Sequence, residues 1–149
     1  MSNIKYVKGN LFDLAPKGAY LAHACNCQGV WGSGIAVEFR KRFPKAYKQY
    51  VNICKEWSPE HNIGDYLILS DEVVVLFTSK DYGQNKCHKD EILYNTESSL
   101  SNIVENETSK ITLHIPKINS GLFGVPWEET EAILKKFDGK LNFVVYELE

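Results

Sequence analysis

The sequence has no apolar run long enough to cross a membrane, no polybasic segment, and no repeated or low-complexity stretch. A membrane-spanning helix needs about 20 mainly apolar residues. With 17 Lys and Arg against 19 Asp and Glu, the formal net charge is −2. The sequence therefore shows no excess of basic residues of the kind that binds nucleic acid or anionic lipid. We therefore expect no nucleic-acid partner and no membrane partner. An anionic ligand would have to be held by local amides and helix ends.

Cysteine is scarce, with four residues in the chain. The N-terminus begins a strand pattern at once and shows no apolar leader, so we expect reduced thiols and a cytoplasmic and/or nuclear location. A zinc site is conceivable, but the C-x-C spacing is unusual for zinc, and we predict no metal and no cofactor. The residues that such a zinc site would use are Cys25, Cys27, Cys87 and His88.

Apolar patterning predicts one domain, residues 1–149, in which strands alternate with helices. The predicted strands are 4–7, 19–24, 66–69, 73–77, 111–115 and 141–146. The predicted helices cover 35–42, a second segment that starts at Pro44, the region from Ile92 to Ile103, and 128–137. Two successive strands in the middle indicate a mixed sheet with helices on its faces.

Two glycine-rich loops, residues 23–36 and 116–127, each follow a predicted strand and lead into a predicted helix. Glycine lets the backbone approach an oxyanion closely, and the following helix offers unpaired N–H groups. Neither loop matches the better-known nucleotide-binding templates, because the first reads G-x-x-G-x-G and has no G-K-[ST] ending. The alternative is a pair of ordinary turns. If both loops bind phosphate, they predict a ligand with two phosphates at the carboxyl ends of the strands.

Several strings in these loops and around them resemble the macro domain family, and they are most similar to its fungal ADP-ribose 1''-phosphate phosphatases. They are V-K-G-N (7–10), H-A-C-N-C (23–27), W-G-S-G-I-A (31–36), L-F-T-S (76–79) and P-K-I-N-S-G-L-F-G-V-P-W (116–127). The resemblance implies a three-layer α/β/α macro domain with a mixed central sheet. It also implies hydrolysis of ADP-ribose 1''-phosphate, a by-product of tRNA splicing, to ADP-ribose and inorganic phosphate. The alternatives are a hydrolase acting on ADP-ribosylated proteins at glutamyl adducts, and a non-enzymatic ADP-ribose reader.

The resemblance also implies a set of substrate-binding residues. Asn10 stands where many macro domains place an aspartate beside the adenine, so this contact loses its charge and should be weaker. The amide of Asn26 would bind the distal ribose, and both glycine loops would wrap the diphosphate. The full set is Gly9, Asn10, Leu11, Ala24, Cys25, Asn26, Trp31, Gly32, Ser33, Gly34, Ile35, Ala36, Ile118, Asn119, Ser120, Gly121, Leu122, Phe123, Gly124 and Val125.

Three residues are candidates for catalysis. Cys25 is not followed by the C-x5-R arginine of cysteine phosphatases, since that position is Trp31, and neither loop holds a carboxylate cluster for metal catalysis. This leaves His23 and His114, which lie near the ends of the two loop-bearing strands, with Asp81 as a carboxylate partner. The alternative for each histidine is a strand residue satisfied by a backbone carbonyl.

The hydrolases that remove ADP-ribose from acidic side chains use a lysine near the central strand end and an aspartate in the second loop. Lys80 approximates that lysine, whereas the aspartate position is occupied by Phe123. The resemblance therefore favours the phosphatase over the adduct hydrolase.

Overall fold

The computed structural model describes residues 2–148, which form six strands flanked by helices. The strands are β1 (Ile4–Lys8), β2 (Tyr20–Asn26), β3 (Tyr66–Ile68), β4 (Val73–Ser79), β5 (Ile111–Ile115) and β6 (Leu141–Glu147). The helices are α1 (Leu11–Leu14), α2 (Ile35–Arg42), α3 (Pro44–Glu56), α4 (Pro59–Asn62), α5 (Lys89–Asn106) and α6 (Trp127–Lys135). The sheet order is β1-β6-β5-β2-β4-β3, with β3 antiparallel to β4 and the other neighbours parallel. The predicted mixed sheet is confirmed.

Local sequence explains where several of these elements begin and end. All seven residues of β4, V-V-V-L-F-T-S, are buried, as expected for a β-branched and aromatic run with a strand on each side. Helix α2 ends at Arg42 and α3 begins at Pro44, because proline cannot continue a helix but suits its first position. Strand β4 runs two residues beyond the predicted Phe77, and this extension carries the chain to the edge where the site lies.

Two apolar cores lie on opposite faces of the sheet. One includes Leu100 of α5 and Leu134 of α6, packed against β4, β5 and β6. The other includes Phe39 of α2 and Tyr50 of α3, packed against β2 and β4. The result is a three-layer α/β/α arrangement, as the resemblance predicted. Within the described residues, no helix combines the length and apolar character that a membrane crossing requires.

The parallel strands direct their carboxyl ends to one edge of the sheet. The first glycine loop follows β2, which lies between β4 and β5 in the sheet. The second follows β5, its immediate neighbour. Because crevices form outside the carboxyl ends of such strands, this topology places the two loops side by side.

Candidate functional site

A cavity of about 1100 Å³ opens at this edge of the sheet. Its walls come from the loops after β1, β2, β4 and β5 and from the end of β6. All the predicted binding residues line the cavity except Gly124 and Val125. Val125 is 1% exposed and belongs to the interior, while its amide closes the second loop by donating to Asn119 O at 2.9 Å. The expected contact of these two residues with ligand is therefore not supported.

The side chain of Asn26 organises the first loop from within. Its Oδ1 accepts from the amides of Gln28 (2.9 Å) and Val30 (3.3 Å), and its Nδ2 donates to Val30 O at 2.8 Å. The Tyr50 hydroxyl donates to the Asn26 carbonyl at 2.6 Å and also lies 3.0 Å from Asn26 Oδ1. Asn26 is 6% exposed, and its Nδ2 donates one hydrogen bond within the protein. These bonds shape the loop, and because Asn26 also lines the cavity, the expected contact of its amide with the distal ribose stays a prediction.

Helix α2 offers its N-terminus to the cavity. Gly34 is the N-cap, with φ +60°, and no side chain caps this end of the helix. Gly34, Ile35 and Ala36 all line the cavity. The first amides of an uncapped helix lack partners and lie at the positive end of the dipole, so this position suits an anion.

Asn119 holds the second loop in place through a buried polar network. Its backbone is in the left-handed region at φ +67°, and the residue is 5% exposed. Thr78 Oγ1 donates to its Oδ1 at 3.1 Å, and its Nδ2 donates to Thr96 Oγ1 at 3.0 Å and, more weakly, to Thr130 Oγ1 at 3.5 Å. The side chain thus ties the loop to β4, α5 and α6, so Asn119 supports the cavity wall from behind.

Gly121, in the same loop, has open space where a Cβ would project and its backbone is outside the left-handed region. Gly121 lines the cavity, and a Cβ added there would meet no protein atom within 4 Å. No contact within the protein therefore requires glycine here, and its lack of a side chain would allow a ligand to approach the backbone closely.

His23 is buried in an aromatic cluster. Its ring stacks on Phe39, with centroids 3.9 Å apart, and meets the edge of Trp31 at 4.7 Å. The residue is 1% exposed, and burial lowers the pKa of His23 to about 3. His23 lines the cavity, but burial keeps its imidazole neutral and Phe39 covers one face of the ring, which argues against a proton-transfer role. Trp31 is likewise 1% exposed and serves as a core residue beneath the cavity.

His114 does not line the cavity but lies behind a residue that does. Its Nδ1 is 2.8 Å from the Tyr146 hydroxyl, and Tyr146 lines the cavity near the end of β6. Burial lowers the pKa of His114 and raises that of Tyr146, so both side chains are neutral near pH 7. His114 therefore acts on the cavity only through Tyr146.

Asp81 and Lys80 are also outside the cavity. Lys80 Nζ pairs with Glu60 at 3.4 Å, and the Asp81 carbonyl accepts from Ser79 Oγ at 2.7 Å. The predicted carboxylate partner is thus not brought to the histidines or to the cavity wall.

The thiol of Cys25 is 2% exposed, and burial raises its pKa well above the usual range. The nucleophilic thiolate is therefore disfavoured, which agrees with a wall residue. Among residues 2–148, no three His, Cys, Asp or Glu side chains come together as a metal-ligand group.

Asn10 and Leu11 lie at the β1 end of the cavity. Asn10 is the N-cap of α1, and its Oδ1 accepts from the Phe12 amide at 2.8 Å. Leu11 is 3% exposed, and Phe12 adds an aromatic surface beside it. This end of the cavity is largely apolar.

Four charged cavity residues were not on the predicted list: Glu38, Lys86, Lys117 and Glu147. Lys117 Nζ and Glu147 Oε1 form an ion pair of 2.7 Å at the β6 end. Tyr82, Gly83 and Gln84 join Lys86 in a segment after β4. The sequence signal for this segment is the polar stretch that follows β4. A loop after a parallel strand reaches the same edge of the sheet as the glycine loops, so this stretch could have been predicted to line the cavity.

Comparisons with known proteins point to one family. A macro domain family model matches residues 22–134. The ADP-ribose 1''-phosphate phosphatase of Meyerozyma guilliermondii is 38% identical, covering 97% of this chain and 99% of that protein. The enzyme of the same name from Candida albicans is 41% identical, covering 96% of this chain and 98% of that protein. Among solved structures, Thermosipho africanus DarTG in complex with ADP-ribose matches with TM-score 0.74 at 22% identity, covering 100% of this chain and 42% of that chain.

Proposed function

The chain belongs to the macro domain family, and we propose that it is a phosphatase that hydrolyses ADP-ribose 1''-phosphate to ADP-ribose and inorganic phosphate. The observation that carries this proposal is the full-length alignment with fungal proteins named for that reaction. The alignments extend over nearly the whole of both chains.

The size and shape of the cavity support the same proposal. Its volume of about 1100 Å³ is slightly above the range of about 300–1,000 Å³ that is typical of small-molecule sites, so a ligand as large as a dinucleotide-like compound has room. The uncapped N-terminus of α2 and the open backbone at Gly121 face it from the two central loops. A diphosphate held at the two central loops leaves room for the adenosine of the ligand at the end of the cavity near β1 and β6. It leaves room for the distal ribose and its phosphate at the end near β4.

The reaction makes limited demands on side chains. The water oxygen bonds to phosphorus, the bond from phosphorus to the sugar O1'' breaks, and that oxygen takes up a proton. Enzymes accelerate such phosphoryl transfers mainly by positioning the groups and stabilising the charge on the phosphoryl oxygens. Loop amides and cations can supply this stabilisation, so the proposal needs no thiolate at Cys25 and no imidazolium at His23.

The deciding experiment measures inorganic phosphate released from ADP-ribose 1''-phosphate in the presence of EDTA, beside a calorimetric titration with ADP-ribose. We expect both release and binding. Binding without release would contradict the phosphatase. In that case, release of ADP-ribose from a glutamyl-ADP-ribosylated peptide would identify an adduct hydrolase, and binding without any turnover would identify a reader.

A further inference from the structure

We propose that Lys86 recognises the 1''-phosphate and gives the site its preference for ADP-ribose 1''-phosphate over ADP-ribose. This inference rests on the proposed function and adds the residue that distinguishes substrate from product. The distinction matters because substrate and product share the nucleotide, the diphosphate and the ribose. They differ only in a terminal group that carries about two negative charges near neutral pH.

The charges on the cavity wall single out Lys86. Two lysines line the cavity, Lys86 and Lys117. Lys117 is held by Glu147 at 2.7 Å, which neutralises it. Between Ser2 and Leu148, no carboxylate pairs with Lys86, and the residue is exposed at the cavity rim. Lys86 is therefore the cavity cation left available to a ligand in the described part of the chain.

Hydrogen bonds at Lys80 and Cys87 hold the segment that carries Lys86 against the first glycine loop and β4. The Lys80 carbonyl accepts from the Cys27 amide and from Gln28 Nε2, each at 3.1 Å. At the other end of the segment, the Cys87 amide donates to Ser79 Oγ at 2.9 Å. These bonds clamp residues 80–87 against β4 and the start of the loop after β2. They fix the base of the segment while its tip lines the cavity.

The two ends of the cavity differ in chemistry. The end near β1 and β6 has apolar Leu11 and Phe12, together with the neutralised Lys117 pair. These apolar side chains suit the flat adenine base of the ligand better than a phosphate group. The end near β4 carries Lys86. A ligand whose diphosphate lies over the two central loops would direct its second terminal group to Lys86.

The test compares Lys86→Gln with Lys86→Arg and with a matched control. Lys89→Gln removes the same charge three residues later, where Lys89 Nζ pairs with Glu129 at 3.1 Å outside the cavity. Each variant is assayed for kcat/KM with ADP-ribose 1''-phosphate and for the calorimetric Kd of ADP-ribose. Repeating both measurements at low and high NaCl tests the charge contribution, because screening weakens exposed charge pairs.

We expect Lys86→Gln to lower kcat/KM by about tenfold to a hundredfold, the range of a lost charged hydrogen bond, and to leave the ADP-ribose Kd within about twofold. Lys86→Arg should retain most of the wild-type kcat/KM, and Lys89→Gln should match the wild type in both measurements. If Lys86→Gln weakened ADP-ribose binding by the same factor as it lowered kcat/KM, the inference would be overturned. An unchanged kcat/KM would also overturn it.

A failure of the proposed function leaves this inference testable. If the wild-type protein binds but does not hydrolyse ADP-ribose 1''-phosphate, the Kd values of the two nucleotides are compared directly. Tighter wild-type binding of the phosphorylated compound, lost in Lys86→Gln, would support Lys86 while the phosphatase proposal fails. Equal affinities for the two compounds in the wild-type protein would overturn the role of Lys86.

Discussion

Replacing Asn119 by alanine should destabilise the protein and weaken ADP-ribose binding together. Two effects contribute to the loss of stability. Asparagine tolerates the left-handed region, where Asn119 has φ +67°, better than alanine does, and this difference costs about 1 kcal/mol. Removing Oδ1 also leaves the fully buried Thr78 hydroxyl without its acceptor, which costs about 1–3 kcal/mol. The expected loss is therefore about 2–4 kcal/mol, a large share of the roughly 5–15 kcal/mol of an ordinary domain.

Asn119→Gly separates the two effects, because glycine accepts the positive φ but still breaks the network. After allowing for the extra freedom of glycine in the unfolded chain, we expect Asn119→Gly to be about 1 kcal/mol more stable than Asn119→Ala. Asn52→Ala, on the exposed surface of α3, is the control and should stay within about 0.5 kcal/mol of the wild type.

The assay is urea unfolding followed by tryptophan fluorescence, with an ADP-ribose titration of each folded variant. If both Asn119 variants unfold at the wild-type midpoint, the network does not contribute to stability and the reasoning fails. If they are destabilised yet bind ADP-ribose with wild-type affinity, Asn119 does not shape the binding loop.

Three further predictions concern the loops and the histidines. Gly121→Ala should leave the urea midpoint unchanged yet weaken ADP-ribose binding, whereas Gly34→Ala, at φ +60°, should reduce both stability and binding. Equal ADP-ribose affinity in Gly121→Ala and the wild type would contradict close approach of the ligand to the Gly121 backbone. Because burial lowers the pKa of His23 to about 3, below its unfolded value, the unfolded state binds the proton first, so stability should fall as the pH drops from about 6.5 to 3. A His23→Phe variant should show a shallower fall, and an unchanged slope would assign the acid sensitivity to other groups. His114→Ala and Tyr146→Phe should both retain most of kcat; a His114→Ala variant that binds normally but loses turnover would restore the predicted catalytic role of His114.

The sequence predicted the six strands and the four longer helices, because their signals are local, but not the one-turn helices α1 and α4. The β-branched run of β4, the alternation that opens β1 and the proline at position 44 are each decided within a few residues. The two glycine loops were equally visible, and the parallel strands bring them to the same edge. The resemblance to the macro domain family came from the same strings and was confirmed by the family model.

The functional side chains were predicted less well, because their orientation depends on contacts far along the chain. Strand β2 is buried on both faces, so alternation could not reveal that His23 stacks on Phe39. In the same way, Asn26 and Asn119 were identified from their motifs, but their hydrogen-bond partners lie up to 41 residues away in sequence.

The amino-acid sequence by itself therefore determined the strands, the four longer helices, the two glycine-rich loops and the family, since these follow from local periodicity, backbone preference and motif order. Only the tertiary structure decided which side chains face the cavity. The strand order places the segment after β4 on one side of the glycine loops and the end of β6 on the other. That nonlocal arrangement pairs Lys117 with Glu147 and leaves Lys86 available. The physical reason is that burial and electrostatic pairing are properties of packed neighbours, which the chain brings together only when it folds.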